Sequence, residues 1–216
     1  MKKPILAIVA IALITIVGVV VVGGALDNTD YSDNLFYRLG ASQRETPRAR
    51  ISSDVYIISR DFTIYESEIE QMVGKFVAIG ADIESGREIA TQTLLRQNVL
   101  YTTALNLGFY ATDEEVRYFI DLNIEMAEAS SNFEEDVIPF LRGIGMSHEE
   151  YWESRAEFFR TEIAIAKLEN SMRDEFLNIN TRTIANQYNA NDLWNEQWER
   201  IVEELIQSTE FTIVAP

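Results

Sequence analysis

Apolar residues follow two patterns along the chain. An uncharged, mostly apolar run covers Pro4 to Leu26, whereas from about residue 63 onward apolar residues recur every three or four positions. The second pattern places these side chains along one face of an α-helix. We therefore predict a mainly α-helical protein that follows an N-terminal apolar segment.

The starts of the predicted helices share one chemistry. A Ser or Thr is followed three residues later by Glu, and the two side chains can satisfy free backbone N–H groups at a helix N-terminus. The four pairs are Thr63 with Glu66, Ser85 with Glu88, Thr112 with Glu115, and Ser147 with Glu150. Because each pair opens a segment with helical apolar spacing, the pattern predicts a helix start at all four places.

The same spacing sets the expected helix bounds. The first helix stops near Gly80, and the others cover about 86–107, 113–128, 133–141, 148–177 and 192–207. Pro139 lies inside the third of these later segments, 133–141, where a proline costs about 3 kcal/mol unless the helix begins or kinks there. The segment from His148 to Leu177 is far longer than the average soluble helix.

Two short runs of β-branched and aromatic residues predict strands at opposite ends of this helical region. They are Val55–Ile58 and Phe211–Val214. Neither has a strand-like neighbour in the sequence, and an isolated strand leaves its backbone groups unpaired. We therefore expect the two to form a small two-stranded sheet that clamps the ends of the domain together.

The N-terminal apolar run predicts the topology. At about 1.5 Å per residue it spans roughly 35 Å, enough for a hydrocarbon core of about 30 Å. Lys2 and Lys3 precede it and three aspartates follow it, which predicts a cytoplasmic N-terminus and an extracytoplasmic domain. The alternative is a cleaved signal peptide, with Gly23 to Ala25 near the cleavage site, although such apolar regions are usually about 7–15 residues long.

The predicted domain organisation follows from these segments. Residues 1–26 form a single-pass transmembrane signal-anchor in the cell membrane. Residues 27–53 are polar, contain Pro47 and show little apolar periodicity, which is typical of a juxtamembrane linker. Residues 54–216 form the helical domain, whose C-terminal helix and strand occupy 192–215.

The charge of the chain excludes one class of partner. The 18 basic and 35 acidic residues give a net charge of −17, and without Lys2 and Lys3 the remainder carries −19. Nucleic acid is a poor partner for such a surface. The charge is interpreted mainly as a source of solubility, with recognition of basic polypeptides as the alternative.

Few residues are available for catalysis. The chain has no Cys and one His, so neither thiol chemistry nor a Cys-containing zinc site can form. His148 lies in the first turn of a predicted helix, which predicts an exposed side chain instead of a base or a ligand. Most Glu-Glu pairs also lie in first turns, where carboxylates complement the helix dipole. We therefore predict a protein that is not an enzyme and uses no metal or cofactor.

The predicted long helix carries two apolar seams about 130° apart. The first seam consists of Trp152, Ala156, Phe159, Ile163 and Ala166, and the second of Tyr151, Phe158, Ile165, Met172 and Phe176. In one interpretation both seams face protein core. In the other, part of the second seam is an open groove for unfolded chain, lined by aromatic and Met side chains. Together with Met146, the second seam supplies the candidate client-binding residues.

Several motifs occur in the order and spacing of a known chaperone family. They are Val55–Ile58 with Ile64–Glu70, Leu94–Leu95 with Ala104 and Gly108, Thr112–Val116, and Gly145–Tyr151. Over about 55–177 the chain resembles the N-terminal domain of SurA/PrsA-type chaperones, with their motifs I-T-x-x-E-L-E, L-I … L-L-x-x-E-A-x-x-x-G, V-S-D-E-E-V and G-L-S-x-E-E-Y. The resemblance implies a helical domain that binds unfolded or secreted polypeptides.

The chain also departs from that family. Tyr56–Asp61 replaces its V-V-N-G turn, and Tyr65 stands where the family has Thr. Family members commonly carry a parvulin prolyl-isomerase domain after the long helix, but only about 14 residues separate Leu177 from Asp192, too few for a domain. The segments that look like the family's closing helix and strand contain Trp198, Leu205 and Phe211–Val214. The resemblance thus implies a chaperone module without the isomerase.

The leading hypothesis is a membrane-anchored extracytoplasmic holdase, a chaperone that holds unfolded polypeptides without covalent chemistry. The main alternative is a non-catalytic assembly or scaffold subunit that docks one fixed membrane or envelope partner. A holdase should bind broadly and weakly, whereas a fixed partner should give one saturable complex. A degenerate enzyme is the third hypothesis, and self-association into a homo-oligomer stays open.

Overall fold

The computed structural model describes residues 34–45, 54–180 and 187–214, which are mainly helical with a small antiparallel sheet. The predicted anchor at 1–26 lies outside these ranges. Within them, no helix has the length and apolarity needed to cross a bilayer. The elements are α1 (Leu35–Glu45), β1 (Val55–Ser59), β2 (Thr63–Tyr65), α2 (Glu66–Ala78), α3 (Ile83–Asn106), α4 (Asp113–Glu128), α5 (Ile138–Ile144), α6 (His148–Ser154), α7 (Ala156–Asn180), α8 (Gln187–Ser208) and β3 (Phe211–Ile213).

Two of the four predicted helix starts are confirmed. At α4, Thr112 N donates to Glu115 Oε2 at 2.8 Å, and Glu115 N donates to Thr112 Oγ1 at 3.2 Å. Ser147 and Glu150 make the same reciprocal pair at the start of α6, with the same two distances. Each pair satisfies two backbone donors that the helix itself leaves free.

The other two predicted starts are wrong because a neighbouring residue takes the capping role. Helix α3 begins earlier than expected, since Asp82 accepts a hydrogen bond from Ser85 N at 2.9 Å. Thr63 lies in β2 instead of capping a helix. There, Glu68 accepts a hydrogen bond from Tyr65 N at 2.8 Å, and α2 starts after Tyr65.

The predicted long helix is interrupted at Arg155. Its N–H bonds to Trp152 O at 3.1 Å, three residues back instead of four, so α6 ends there and α7 starts at Ala156. The helix predicted over 133–141 is also divided. A π-helical turn, Phe133–Val137, leads into α5, and Pro139 lies in the first turn of α5, where proline is tolerated.

The prediction of a polar linker over 27–53 is wrong for residues 35–45, which form α1. This helix crosses α5 where Gly40 and Gly143 meet, and both glycines are buried. A Cβ on Gly40 would overlap the Phe140 carbonyl oxygen and lie 2.9 Å from Ile144 N. The absence of both side chains lets the two backbones pack closely, so α1 belongs to the helical domain.

The sheet has the strand order β2-β1-β3, and all pairing is antiparallel. The predicted pairing of the strands at the two ends of the helical region is present, because Ile57 lies opposite Ile213 and Ile58 opposite Thr212. The sheet nevertheless has three strands instead of two. The third, β2, forms a hairpin with β1 in which Ser59 N donates to Phe62 O at 3.0 Å.

The buried residues form three cores, which the two longest helices connect. Helix α3 contributes to the sheet core and the C-terminal core, and α7 to the central core and the C-terminal core. The sheet core consists of Ile57, Ile64, Ile69, Ala90 and Leu94. The central core consists of Val116, Phe119, Ala127, Phe140, Leu141, Tyr151, Trp152, Phe159 and Ile163. The C-terminal core consists of Leu100, Ala104, Ala164, Leu168, Trp194, Trp198 and Val202.

Candidate binding site

The six candidate client-binding residues lie in two different places. Tyr151 is buried in the central core, and Met146 and Phe158 pack against the same core. Ile165, Met172 and Phe176 are half-buried and pack against the C-terminal core, to which α8 contributes Trp194, Trp198 and Val202. The Phe176 ring, for example, lies 5.7 Å from the Trp194 ring. In this conformation the six side chains therefore do not line one open groove.

The most unusual polar environment surrounds Arg155, at the junction of α6 and α7. Burial, together with the nearby Arg155 guanidinium, lowers the pKa of the Lys75 ammonium to about 8. Burial also raises the pKa of the Glu162 carboxyl, although Gln97 Nε2 donates to it at 2.9 Å and Arg155 is close. Arg155 itself lies over the Phe158 ring at 4.1 Å. This group is the Arg155 cluster: Lys75, Gln97, Arg155 and Glu162.

Sequence analysis missed the Arg155 cluster, although one signal for it was present. On a helical wheel Glu162 falls between the two apolar seams, which brings its carboxyl close to the interior when both seams face protein core. Lys75 gave a weaker signal, since it lies at the flank of the apolar stripe of α2. The cluster holds charged groups in partly dehydrated surroundings, which makes the local charge sensitive to pH.

His148 differs from its prediction. The side chain is only 17% exposed, and its ring lies 5.3 Å from that of Phe133 and 6.1 Å from that of Trp152. Its Nδ1 is 3.6 Å from a Glu128 carboxyl oxygen. Within the described ranges, His148 Nε2 and Trp152 Nε1 are buried and have no hydrogen-bond partner. The predicted exposed position is therefore wrong, because the π-helical turn brings the Phe133 ring into edge-to-face contact with the imidazole.

The remaining polar features have structural roles. A cavity of about 410 Å³ lies between α3 and α8, but Arg96 on its wall already donates to both Glu199 carboxylate oxygens, at 2.6 and 2.7 Å. No three His, Asp or Glu side chains in the described ranges are placed to hold a metal ion. Glu115 and Glu150 hold helix N-termini, and both have a lowered carboxyl pKa.

Three apolar side chains of the sheet are exposed, and two of them lie at its β3 edge. Ile58 is 47% exposed, Ile213 52% and Val214 43%. They lie on the central strand β1, on the edge strand β3 and directly after β3. This edge combines exposed apolar groups with strand backbone, which are the two features that bind an extended polypeptide.

No family model, curated protein or solved structure matches the chain.

Proposed function

We propose that this chain is a membrane-anchored extracytoplasmic chaperone that holds unfolded or secreted polypeptides and has no prolyl-isomerase activity. One observation supports this best. Only six residues separate the end of α7 from the start of α8, and β3 then returns to β1. This is the arrangement that the resemblance to SurA/PrsA-type chaperones implies once the isomerase domain is absent.

The proposed anchor would keep the domain close to the bilayer. Eight residues, 27–34, lie between the predicted membrane segment and α1. They span at most about 29 Å when fully extended. Because α1 packs against α5, the domain would meet emerging polypeptides near the membrane surface.

The function is tested with the full chain in nanodiscs and a reporter protein that aggregates on dilution from denaturant. Light scattering should fall as the molar ratio of chain to reporter rises, without any nucleotide or metal. Unchanged scattering at a tenfold molar excess would refute the proposal. A proline-peptide assay on the same sample should stay at the uncatalysed rate of tens of seconds or slower.

The proposed location has its own test. Without protease the protein should stay in the membrane fraction. Protease added to spheroplasts should digest the region after Asp27. A released protein whose N-terminus lies at or beyond Leu26 would favour the cleaved signal peptide instead.

A non-catalytic assembly subunit is the second candidate, since it needs less exposed apolar surface than a broad holdase. Ile165, Met172 and Phe176 pack against the C-terminal core and supply little of that surface. Pull-down of the full chain from detergent extract separates the two functions. One stoichiometric membrane partner would support the assembly subunit, and many secreted proteins at low occupancy would support the holdase.

A further inference from the structure

We propose that the outer edge of β3 is where an extended client segment binds, by pairing as a fourth strand of the sheet. This inference rests on the proposed holdase function and assigns it a site. It differs from the predicted groove on α7, because recognition comes mainly from backbone hydrogen bonds.

The backbone of β3 has one free side. Val214 N donates to Tyr56 O at 2.8 Å, and Thr212 lies opposite Ile58. In an antiparallel pair hydrogen-bonded residues alternate, so the N–H and C=O of Phe211 and Ile213 point away from β1. No backbone group outside the sheet, among the residues that the structure describes, bonds to those of Ile213.

The β3 edge has only one of the usual protections against strand addition, its short length of three residues. Proteins commonly block an edge with a very short strand, charged residues, proline or a bulge. The segment Phe211–Val214 carries no charge and no proline, and its register with β1 is regular. The opposite edge is different, because the pairing of β2 with β1 shifts between Val55 and Ile57, and β2 runs directly into α2.

The side chains at this edge indicate what would pair there. Ile213 lies opposite Ile57 and thus on the same face of the sheet, yet Ile57 is fully buried whereas Ile213 is 52% exposed. A strand added beyond β3 would place one side chain next to Ile213, and an apolar one would cover it. The edge therefore fits an extended segment with apolar residues at alternate positions.

Charge favours a client over a second copy of this chain. Two copies pairing through β3 would bring together domains that each carry −19 outside the predicted anchor. A neutral or basic unfolded chain meets no such repulsion. Strand pairing through main-chain groups also accepts many sequences, as a holdase requires.

The test removes the backbone N–H of Ile213, which points away from β1. Ile213→Pro removes an N–H that β1 does not use and places a ring against an incoming strand, whereas Ile213→Val keeps both the N–H and the apolar edge. Each full-length variant in nanodiscs is titrated with a fluorescently labelled, reduced and carboxymethylated reporter protein, which stays unfolded. We expect about tenfold weaker binding for Ile213→Pro, equivalent to one or two backbone hydrogen bonds, and unchanged binding for Ile213→Val.

A third variant separates a loss of binding from a folding defect. Ile213→Lys keeps the N–H, adds a charge to the edge and should also weaken binding, while the thermal midpoints of all three variants stay within a few degrees of wild type. If the wild type binds the reporter and both Ile213→Pro and Ile213→Lys bind it equally well, the edge site is overturned and the holdase function stands. Absence of wild-type binding would refute the holdase and this site with it. A dimer that Ile213→Pro converts to a monomer would make a second copy the occupant.

Discussion

Gly40 and Gly143 face each other where α1 crosses α5, and neither position has room for a side chain. A Cβ on Gly143 would overlap the Tyr37 carbonyl oxygen and lie 2.8 Å from Ala41 N. The crossing joins the segment after the predicted anchor to the helical domain, because Phe36 and Leu39 on α1 pack against the central core.

This crossing gives the first prediction. Gly143→Ala should lower the free energy of unfolding by about 1–3 kcal/mol, because the added methyl group forces the two helices apart. Thermal unfolding followed by circular dichroism measures the effect. Gly86→Ala is the matched control, since its Cβ would lie at ordinary distances, 3.5 Å from Phe76 Cβ and 3.7 Å from Val73 Cγ1. That control should be neutral or stabilising, because alanine favours a helix. Equal effects of both changes would contradict the close crossing.

The second prediction concerns Lys75. Its pKa of about 8 in the folded state lies below the ordinary 10.5, so the unfolded chain binds more protons between these values and stability rises with pH there. Lys75→Met should remove that rise and stabilise the domain at pH 7 by about 1–3 kcal/mol. Denaturant unfolding at pH 7, 8, 9 and 10 gives the comparison.

Lys167→Met is the control for Lys75. Lys167 Nζ donates to Tyr110 O and to Glu115, both at 2.7 Å. Its loss should therefore destabilise the domain at pH 7 and leave the alkaline rise in place. A Lys75→Met variant that keeps the full alkaline rise would show that Lys75 is not the responsible group.

The third prediction concerns Glu162. Because burial raises its carboxyl pKa, the folded state holds the proton to higher pH than the unfolded chain, and stability falls as pH rises above about 4.5. Glu162→Gln keeps an oxygen for the Gln97 hydrogen bond, removes the charge and should stabilise the domain at pH 7.

Glu199→Gln is the control and should act in the opposite direction, since Arg96 lowers the pKa of the Glu199 carboxyl. Loss of the Glu199 charge should lower the free energy of unfolding by less than about 1 kcal/mol, because the Arg96–Glu199 pair is exposed. Stability is measured by urea unfolding from pH 4 to pH 7, and a destabilised Glu162→Gln would contradict the prediction.

The fourth prediction concerns the C-terminal helix. Trp198 is 8% exposed, and its ring stacks on that of Trp194 at 5.7 Å. Trp198→Ala should lower the stability of the whole domain by about 3–5 kcal/mol in one cooperative transition. Leu193→Ala on the same helix should cost far less, because Leu193 is 42% exposed. A separate early transition in Trp198→Ala would mean that α8 and β3 unfold as an independent unit.

Local patterns predicted a large part of the fold. The predicted start and end of α4 were correct. Thr112 and Glu115 cap the helix themselves, with no competing residue nearby, and the apolar periodicity begins directly after Thr112. The pairing of β1 with β3 could be deduced because each lone strand needs a partner. Thr63 with Glu66 failed because the same pattern also fits the end of a hairpin strand, and only the pairing with β1 distinguishes the two.

The missed features depend on contacts between distant segments. Helix α1 is short and lies in a polar segment that contains Pro47, and what holds it is a crossing with α5 about 100 residues later, which local periodicity cannot indicate. His148 occupies a position that is usually exposed, but the π-helical turn covers it with Phe133. The Arg155 cluster likewise joins α2, α3 and α7, so its pKa shifts emerge only when those helices pack.

The position of β1 at the centre of the sheet affects the order of events during synthesis. Its partner β2 is only a few residues away, so this hairpin can form as soon as both strands have emerged. Its other edge stays open until the ribosome has passed Ile213, since that residue pairs with Ile57. Throughout the intervening helices, the nascent chain would expose on β1 the same kind of free strand edge that the finished protein exposes on β3. Pairing of this edge with a neighbouring chain would therefore compete with folding until β3 arrives.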